Sequence, residues 1–505
     1  MLSRVAAVKA HRTHNRRRVT GSSGRRREGR ESEPQRPNMS RRVFTSAVLL
    51  LLFVVMCCNT GGAVQADETA SGQGSSPKPY FDWRDKKEGE TVGSLRVPSL
   101  VEVNGGVFAV AEAQCTKKNN EGGFTGIASE LLGLSDGTLK KELGKNKLKT
   151  QVLDECSSEE KRCLSQTAKN GGCKRVLKVH VSRPTTVVNR SDIYMLAGNY
   201  SSEAAAAHDA VRWGLLLVRG NVSGTTENDK RIYWNDTYGL PWGIFDGHKS
   251  LTRLIGSGGS GVKMNDGTFL FPVEGTKKEN NKTVSLILYW NGNTTWTLSK
   301  GMSADGCSDP SVVEWEDGKL MMMTACDDGR RRVYESGDKG ESWTEVLGTL
   351  SRVWFNPHEA HERGVGSGFI TATIGDVETE KRNVMLVTLP VYTKKENEKE
   401  KGELHLWLTD NTHIVDIGPV SGNDDAAASS LLYKSGDNGD NEKKWDKLIA
   451  LYEKKAGGAD KPSPGMVSVL LKKELERVKK VLTTWKEVDE RVSKLCPTSS
   501  ATLSK

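Results

Sequence analysis

The sequence predicts an all-β chain of repeated short strands, of the propeller kind, closed by one long helix. Apolar runs of strand length recur from about Leu100 to about Tyr452, and Gly, Asn and Asp cluster between them. Many short strands at even spacing favour a radially repeated sheet architecture. Sustained 3–4 apolar spacing occurs only once, between Pro464 and Pro497. With 505 residues, 36% hydrophobic and 27% charged, the chain can bury a sizeable core and is too apolar to stay disordered.

The first element is a leader. Met1 to Arg42 holds 13 Lys/Arg opposed only by Glu28, Glu31 and Glu33. Arg41-Arg42 abuts the apolar run Ala47–Cys58, and the small residues of Gly61–Ala66 follow. Basic, then apolar, then small is the order of a secretory signal, with cleavage expected after Ala66. The 12 apolar residues are too few for a bilayer core, which takes roughly 20 in a helix. An uncleaved signal-anchor is the alternative, and Met39 is an alternative start. Residues 67–80 read as a polar linker, 81–460 as the β-rich body and 464–496 as the helix.

Within the body, strands are expected at Val107–Ala111, Ile193–Ala197, Leu215–Val218, Thr268–Phe271 and Val284–Tyr289, then at Leu320–Met323, Val384–Val387, Leu404–Trp407 and Leu448–Leu451. In the helix, Leu471, Leu475, Val478, Leu482, Trp485, Val488, Val492 and Leu495 form one apolar face, with Lys, Glu and Arg opposite.

A secretory route gives meaning to six sequons, at Asn189, Asn199, Asn221, Asn235, Asn281 and Asn293, as expected glycosylation sites. It also favours disulfides among the seven cysteines beyond Ala66, an odd number. No Cys-x-x-Cys pair occurs, so zinc-ribbon and thiol-redox readings fail. The formal charge of +9 invites a nucleic-acid reading, but residues 67–505 carry 60 Lys+Arg against 61 Asp+Glu. The basic excess belongs to the leader, and nucleic acid drops out as a partner.

The most specific motif is Ser336-Gly-Asp338-Lys-Gly340-Glu-Ser-Trp343. Asp338 can bond the turn backbone, Gly340 can take positive φ, and Trp343 can bury beneath the hairpin. It matches the Asp box, S-x-D-x-G-x-[TS]-W. Weaker echoes stand at Tyr289–Trp296 and Leu134–Thr138. Beside it lie Leu95–Leu100, Gly306-Cys-Ser-Asp-Pro310, Val313–Glu316, Arg330–Ser336, Gly348–Trp354, Leu404–Asn411 and Leu431–Lys434. On these stretches the chain resembles the trypanosomal trans-sialidase superfamily of surface glycoproteins. The resemblance implies a six-bladed sialidase-type propeller joined by the long helix to a lectin-like sandwich. The sandwich and a C-terminal anchor signal are expected to be absent here.

The family's enzymes clamp the sialic acid carboxylate with three arginines, whose guanidinium forks match a carboxylate. They attack with a tyrosine rather than a carboxylate, helped by a glutamate base and an aspartate acid/base. The resemblance places the first clamp arginine at Arg96 and the second at Arg330, with Arg331 the alternative. It places the glutamate at Glu314 and the third clamp position at Lys401, which keeps the charge and loses the fork. Gln114 stands where an arginine precedes the acid/base loop. The aspartate falls on Asn120, with Glu121 as a neighbouring acid, and the nucleophile on Ala428, which has no oxygen; Tyr433 is nearby.

The expectation is therefore a degenerate site in a non-catalytic adhesin or immune decoy. Its partners would be host-cell or matrix glycoproteins, with sialoglycans a further candidate, and it needs no cofactor or metal. A residual exo-α-sialidase or trans-sialidase is the second reading, and a truncated gene copy the third. Other motifs have plainer readings. Gly256–Gly261 fits GxGxxG but leads into a turn and strand. His358-Glu-Ala-His361 lacks zinc-helix spacing, and Lys394–Glu403 reads as a solvated loop. Glu314 and Arg330 could also persist simply as an ion pair between strands.

Overall fold

A computed structural model describes residues 80–117, 123–156, 176–201, 213–354, 364–375, 381–393, 401–436, 446–455 and 465–495, except positions 136, 146–147, 225, 227–228, 246–247, 293–294 and 349. The leader, Asn120, Glu121, Asn293 and the His358/His361 stretch lie outside the described residues.

Six sheets form a six-bladed propeller. The innermost strands are Glu90–Val103 in blade one, Ser182–Asn189 in blade two, Leu251–Gly256 continued by Val262–Lys263 in blade three, Cys307–Glu314 in blade four, Gly368–Ile374 in blade five and Ala426–Lys434 in blade six. Each of the runs named above lies in a strand, apart from Thr268, which directly precedes Phe269–Lys277. The ring closes out of sequence order: Lys140–Glu142 adds antiparallel to Gly465–Leu470 as the outer strand of blade six.

The apolar runs are continuous because a blade is buried on both faces. In Leu320–Cys326, Leu320 and Met322 pack toward blade three, whereas Met321 and Met323 pack toward blade five. Leu196 and Met195 divide likewise between blades three and one. Six apolar clusters fill the six interfaces between blades.

The Asp box closes the outer hairpin of blade four. Ser336 Oγ accepts the Gly340 N–H at 2.7 Å, and Asp338 accepts the Ser342 N–H at 2.9 Å and its hydroxyl at 2.6 Å. These hydrogen bonds hold the Asp338 carboxyl down at about 2. Gly340 has φ +80°, and an added Cβ there would meet Ile287 Cδ1 at 2.8 Å. Trp343 packs on the cluster between blades three and four. In the echo at Tyr289–Trp296 the frame is kept by stacking instead, with the Trp290 and Trp296 rings 5.4 Å apart. Cys307 and Cys326, paired neighbours at the head of blade four, form a disulfide.

The helix spans Lys472–Leu495, starting later than 464 because Gly465–Leu470 is the third strand of blade six. Leu475, Val478 and Leu482 are buried against blades five and six. Trp485 stacks on His413 at 4.9 Å, and Arg382 and His413 both reach Asp489. The apolar face is not buried throughout: Val488, Val492 and Leu495 are 44%, 53% and 81% exposed, since no described residue covers the last turns. Among the described residues no helix is long and apolar enough to cross a membrane.

Candidate functional site at the head of the propeller axis

Innermost strands of a propeller run the same way, so their first residues gather at one end of the axis. Near that end the ladder slips in four blades: between Arg96 and Ser99, Ser182 and Thr185, Ser308 and Ser311, and Ala426 and Ser429. A bulge re-aims the side chain at the extra residue. Three of the slips contain an X-Pro step, Val97-Pro98, Arg183-Pro184 and Asp309-Pro310, where proline has no N–H for the ladder. The residue before each proline has positive φ: 53° at Val97, 52° at Arg183 and 48° at Asp309. Such strained non-glycine backbone costs on the order of 1–3 kcal/mol per residue.

These bulges assemble a charged cluster. Arg183 Nη2 donates to Asp309 Oδ1 at 2.7 Å and lies 2.9 Å from Glu274 Oε1. The same Glu274 oxygen accepts the Asp309 N–H at 2.9 Å, and Glu112 accepts the Arg183 N–H at 2.8 Å. Glu453 accepts the Val97 N–H at 2.5 Å. Burial drives the Glu453 carboxyl up to about 7; Arg96 and the Val97 bond pull the other way, and Glu112 and Asp309 add to the rise. Burial also raises Asp309, helped by the Glu274 charge and opposed by Arg183. Burial lowers Arg183, but the Glu274 and Asp309 charges more than offset it and hold the guanidinium charged.

Arg331 completes the ring from blade four. It donates from Nη1 to Ser367 Oγ at 2.6 Å and from Nη2 to the Val365 carbonyl at 2.9 Å. Desolvation lowers its pKa, while Tyr392 and Asp309 favour its charge. The cluster thus holds Arg96, Arg183 and Arg331 against Glu112, Glu274, Asp309 and Glu453.

The structure distributes the expected residues unevenly. Arg96 is exposed within the first bulge, close enough to Glu453 to influence it. Of the arginine run, Arg331 turns toward the axis. Arg330 is exposed in the turn before it, its N–H bonded to Asp328, and Arg332 pairs with Asp328 on the flank. Lys401 begins the third strand of blade five and donates to the Asn423 carbonyl. Ala428 is half-buried in the blade-six bulge. The neighbouring Ser429 hydroxyl is engaged with Thr388 and the Gly368 N–H. Gln114 is exposed beside Ser94.

Glu314 is not in this cluster. It ends the strand Cys307–Glu314, five residues and roughly 15 Å beyond Asp309 at strand rise. There Glu314 accepts the Asn265 N–H at 3.1 Å. Arg330 lies at the opposite end of the blade, so the two do not form the ion pair considered above. Tyr433 likewise lies at the far end of its strand, its phenol pushed up to about 12 by burial and Asp446.

The sequence reading missed Arg183, Glu112, Glu274, Asp309 and Glu453. The available signal was the repeated X-Pro step at the head of an innermost strand, which marks Arg183-Pro184 and Asp309-Pro310 as equivalents of Val97-Pro98. Among the sequons, Asn221, Asn235 and Asn281 are exposed and Asn189 is half-buried; the Asn199 side chain lies outside the described residues.

A propeller with an Asp box and arginines and acids converging at one end of its axis is of the sialidase class. A BNR repeat-like domain model matches residues 97–453. "Sialidase 85-1.1" of Trypanosoma cruzi is 32% identical over 500 residues, covering 90% of this chain and 62% of that protein. A second Trypanosoma cruzi sialidase is 33% identical over 314 residues, 60% of this chain and 25% of its own length. The structure is similar to Trypanosoma rangeli sialidase in complex with 2,3-difluorosialic acid as a covalent intermediate, with a TM-score of 0.57 at 29% identity, covering 81% of this chain and 59% of that one. The chain belongs to the BNR-repeat, sialidase/trans-sialidase family, and it spans less than two thirds of the length of these relatives.

Proposed function

We propose that this chain is a sialidase-fold glycoprotein, secreted or held at the cell surface, whose axial site is catalytically degenerate. It would act in host-cell adhesion or invasion, or in immune evasion, with host surface or matrix glycoproteins as partners. The observation that carries this reading is the methyl side chain of Ala428, at the position the resemblance gives to the nucleophile; in the same set of bulges the Arg183 guanidinium is spent on Glu274 and Asp309.

A sugar carboxylate needs guanidinium donors that are not already paired, and it is repelled by nearby carboxylates. Glu112, Glu274, Asp309 and Glu453 together oppose an anion at this end. Attack on an anomeric carbon needs a nucleophilic oxygen, and alanine supplies none at the position the resemblance assigns. The basic leader and the exposed sequons support a secretory route.

A second reading, residual hydrolysis, is favoured by one observation: Glu453, at about 7, sits in the range of a general acid, near Arg96. The test is release and transfer of sialic acid from a fluorogenic sialoside by the full chain between pH 5 and 8. Turnover no higher than that of heat-denatured protein is expected. Turnover that Glu453→Gln abolishes would replace the first reading with the second.

A further inference from the structure

At the opposite end of the axis, blades three, four and five part around a cavity of about 660 Å3. It is remote from the arginine cluster, since the strand that carries Asp309 near its start reaches it only at its last residue, Glu314. On the blade-five wall Ala372 and Ile374 point into the core, which leaves Thr371 and Thr373 exposed toward the opening. Thr373 donates to Asn383 Oδ1 at 2.8 Å, and Asn383 Nδ2 donates to Glu316 Oε1 at 3.3 Å. These bonds orient the amide at the rim. Across the cavity one Glu314 oxygen is fixed by the Asn265 N–H, and half-buried Trp315 supplies an apolar surface.

We infer that this cavity is a binding site for a neutral, hydroxyl-rich ligand, a pyranose saccharide. Such a ligand needs what the walls hold: carboxylates to accept its hydroxyls, hydroxyl and amide groups that both donate and accept, and an apolar surface for its C–H face. Glu314, Glu316 and Asp317 line it against one cation, Lys263, whose ammonium is already on Asn189 Oδ1 at 2.8 Å. That balance rejects anionic sugars. Asn189 is itself a sequon, so the saccharide has two sources: a free glycan, or the sugar carried by this chain at Asn189.

The test is saturation-transfer NMR of the full chain with methyl α-mannoside, methyl β-galactoside and methyl β-N-acetylglucosaminide. Protein made without N-glycosylation is compared with glycosylated protein. The unglycosylated chain is expected to show transfer to at least one of the three. Loss of that transfer in the glycosylated chain assigns the cavity to the Asn189 glycan, and persistence assigns it to free saccharide. Thr371→Trp, which fills the cavity, should reduce transfer at least tenfold. Glu314→Gln, which keeps the shape, should weaken it severalfold, and Arg491→Ala, at an exposed position of the terminal helix, should leave it unchanged. No transfer to any probe, transfer indifferent to both cavity variants, or loss in Arg491→Ala would each overturn the inference.

Discussion

Replacing Arg183 by methionine tests the ion network most sharply. The side chain keeps much of its length and loses a guanidinium nitrogen lying 2.7 Å from Asp309 and 2.9 Å from Glu274. Glu274 is 7% exposed, so the two carboxylates are left facing each other with little solvent. Breaking a buried pair by removing one partner costs about 3–5 kcal/mol. For a domain of this size that corresponds to a melting-temperature loss on the order of 3–6 °C. The loss should depend on pH in a definite direction. Burial already raises Asp309, and without the opposing Arg183 charge it rises further. A carboxyl whose folded pKa exceeds its unfolded value favours the fold below the unfolded pKa and loses that contribution as pH rises through the folded one. Scanning calorimetry should therefore find a larger deficit at pH 8 than at pH 5. A variant within 1 °C of the parent, or one hurt more at pH 5, would refute the network.

Three further outcomes follow from the geometry. Glu453→Gln removes a group at about 7, so the parent's fall in stability between about pH 4.5 and 7 should flatten in the variant, as read by denaturant unfolding at pH 5, 6 and 7. Cys307→Ser with Cys326→Ser opens a cross-link between residues 19 apart and should cost about 3 kcal/mol by the same measurement, without loss of the β spectrum. Gly340→Ala places a Cβ on Ile287 at positive φ and should cost about 1–3 kcal/mol in thermal unfolding.

Much of the architecture was legible because each blade is covered on both faces, which writes runs such as Leu-Met-Met-Met323 into the chain. The Asp box was legible because its bonds are local. Gly465–Leu470 was missed because it abuts the helical spacing, and its partner Lys140–Glu142 lies more than 300 residues away. The site was harder to read for a related reason. Asp309 and Glu314 lie in one strand with similar local surroundings, and only ring closure decides which end meets Arg183. Arg330, Arg331 and Arg332 differ only in strand phase, and one residue of register turns a side chain from the flank to the axis. Glu112, Glu274 and Glu453 look like ordinary strand charges until the blades converge.

The axial site as proposed carries no working nucleophile, since Ala428 has no oxygen to offer an anomeric carbon. Trypanosoma rangeli sialidase is known as a covalent intermediate with 2,3-difluorosialic acid. Intact-mass spectrometry of the full chain after incubation with that compound is the most direct test. An unchanged protein mass is expected; a stoichiometric gain of one 3-fluorosialyl unit on a tyrosine would show a nucleophile at work.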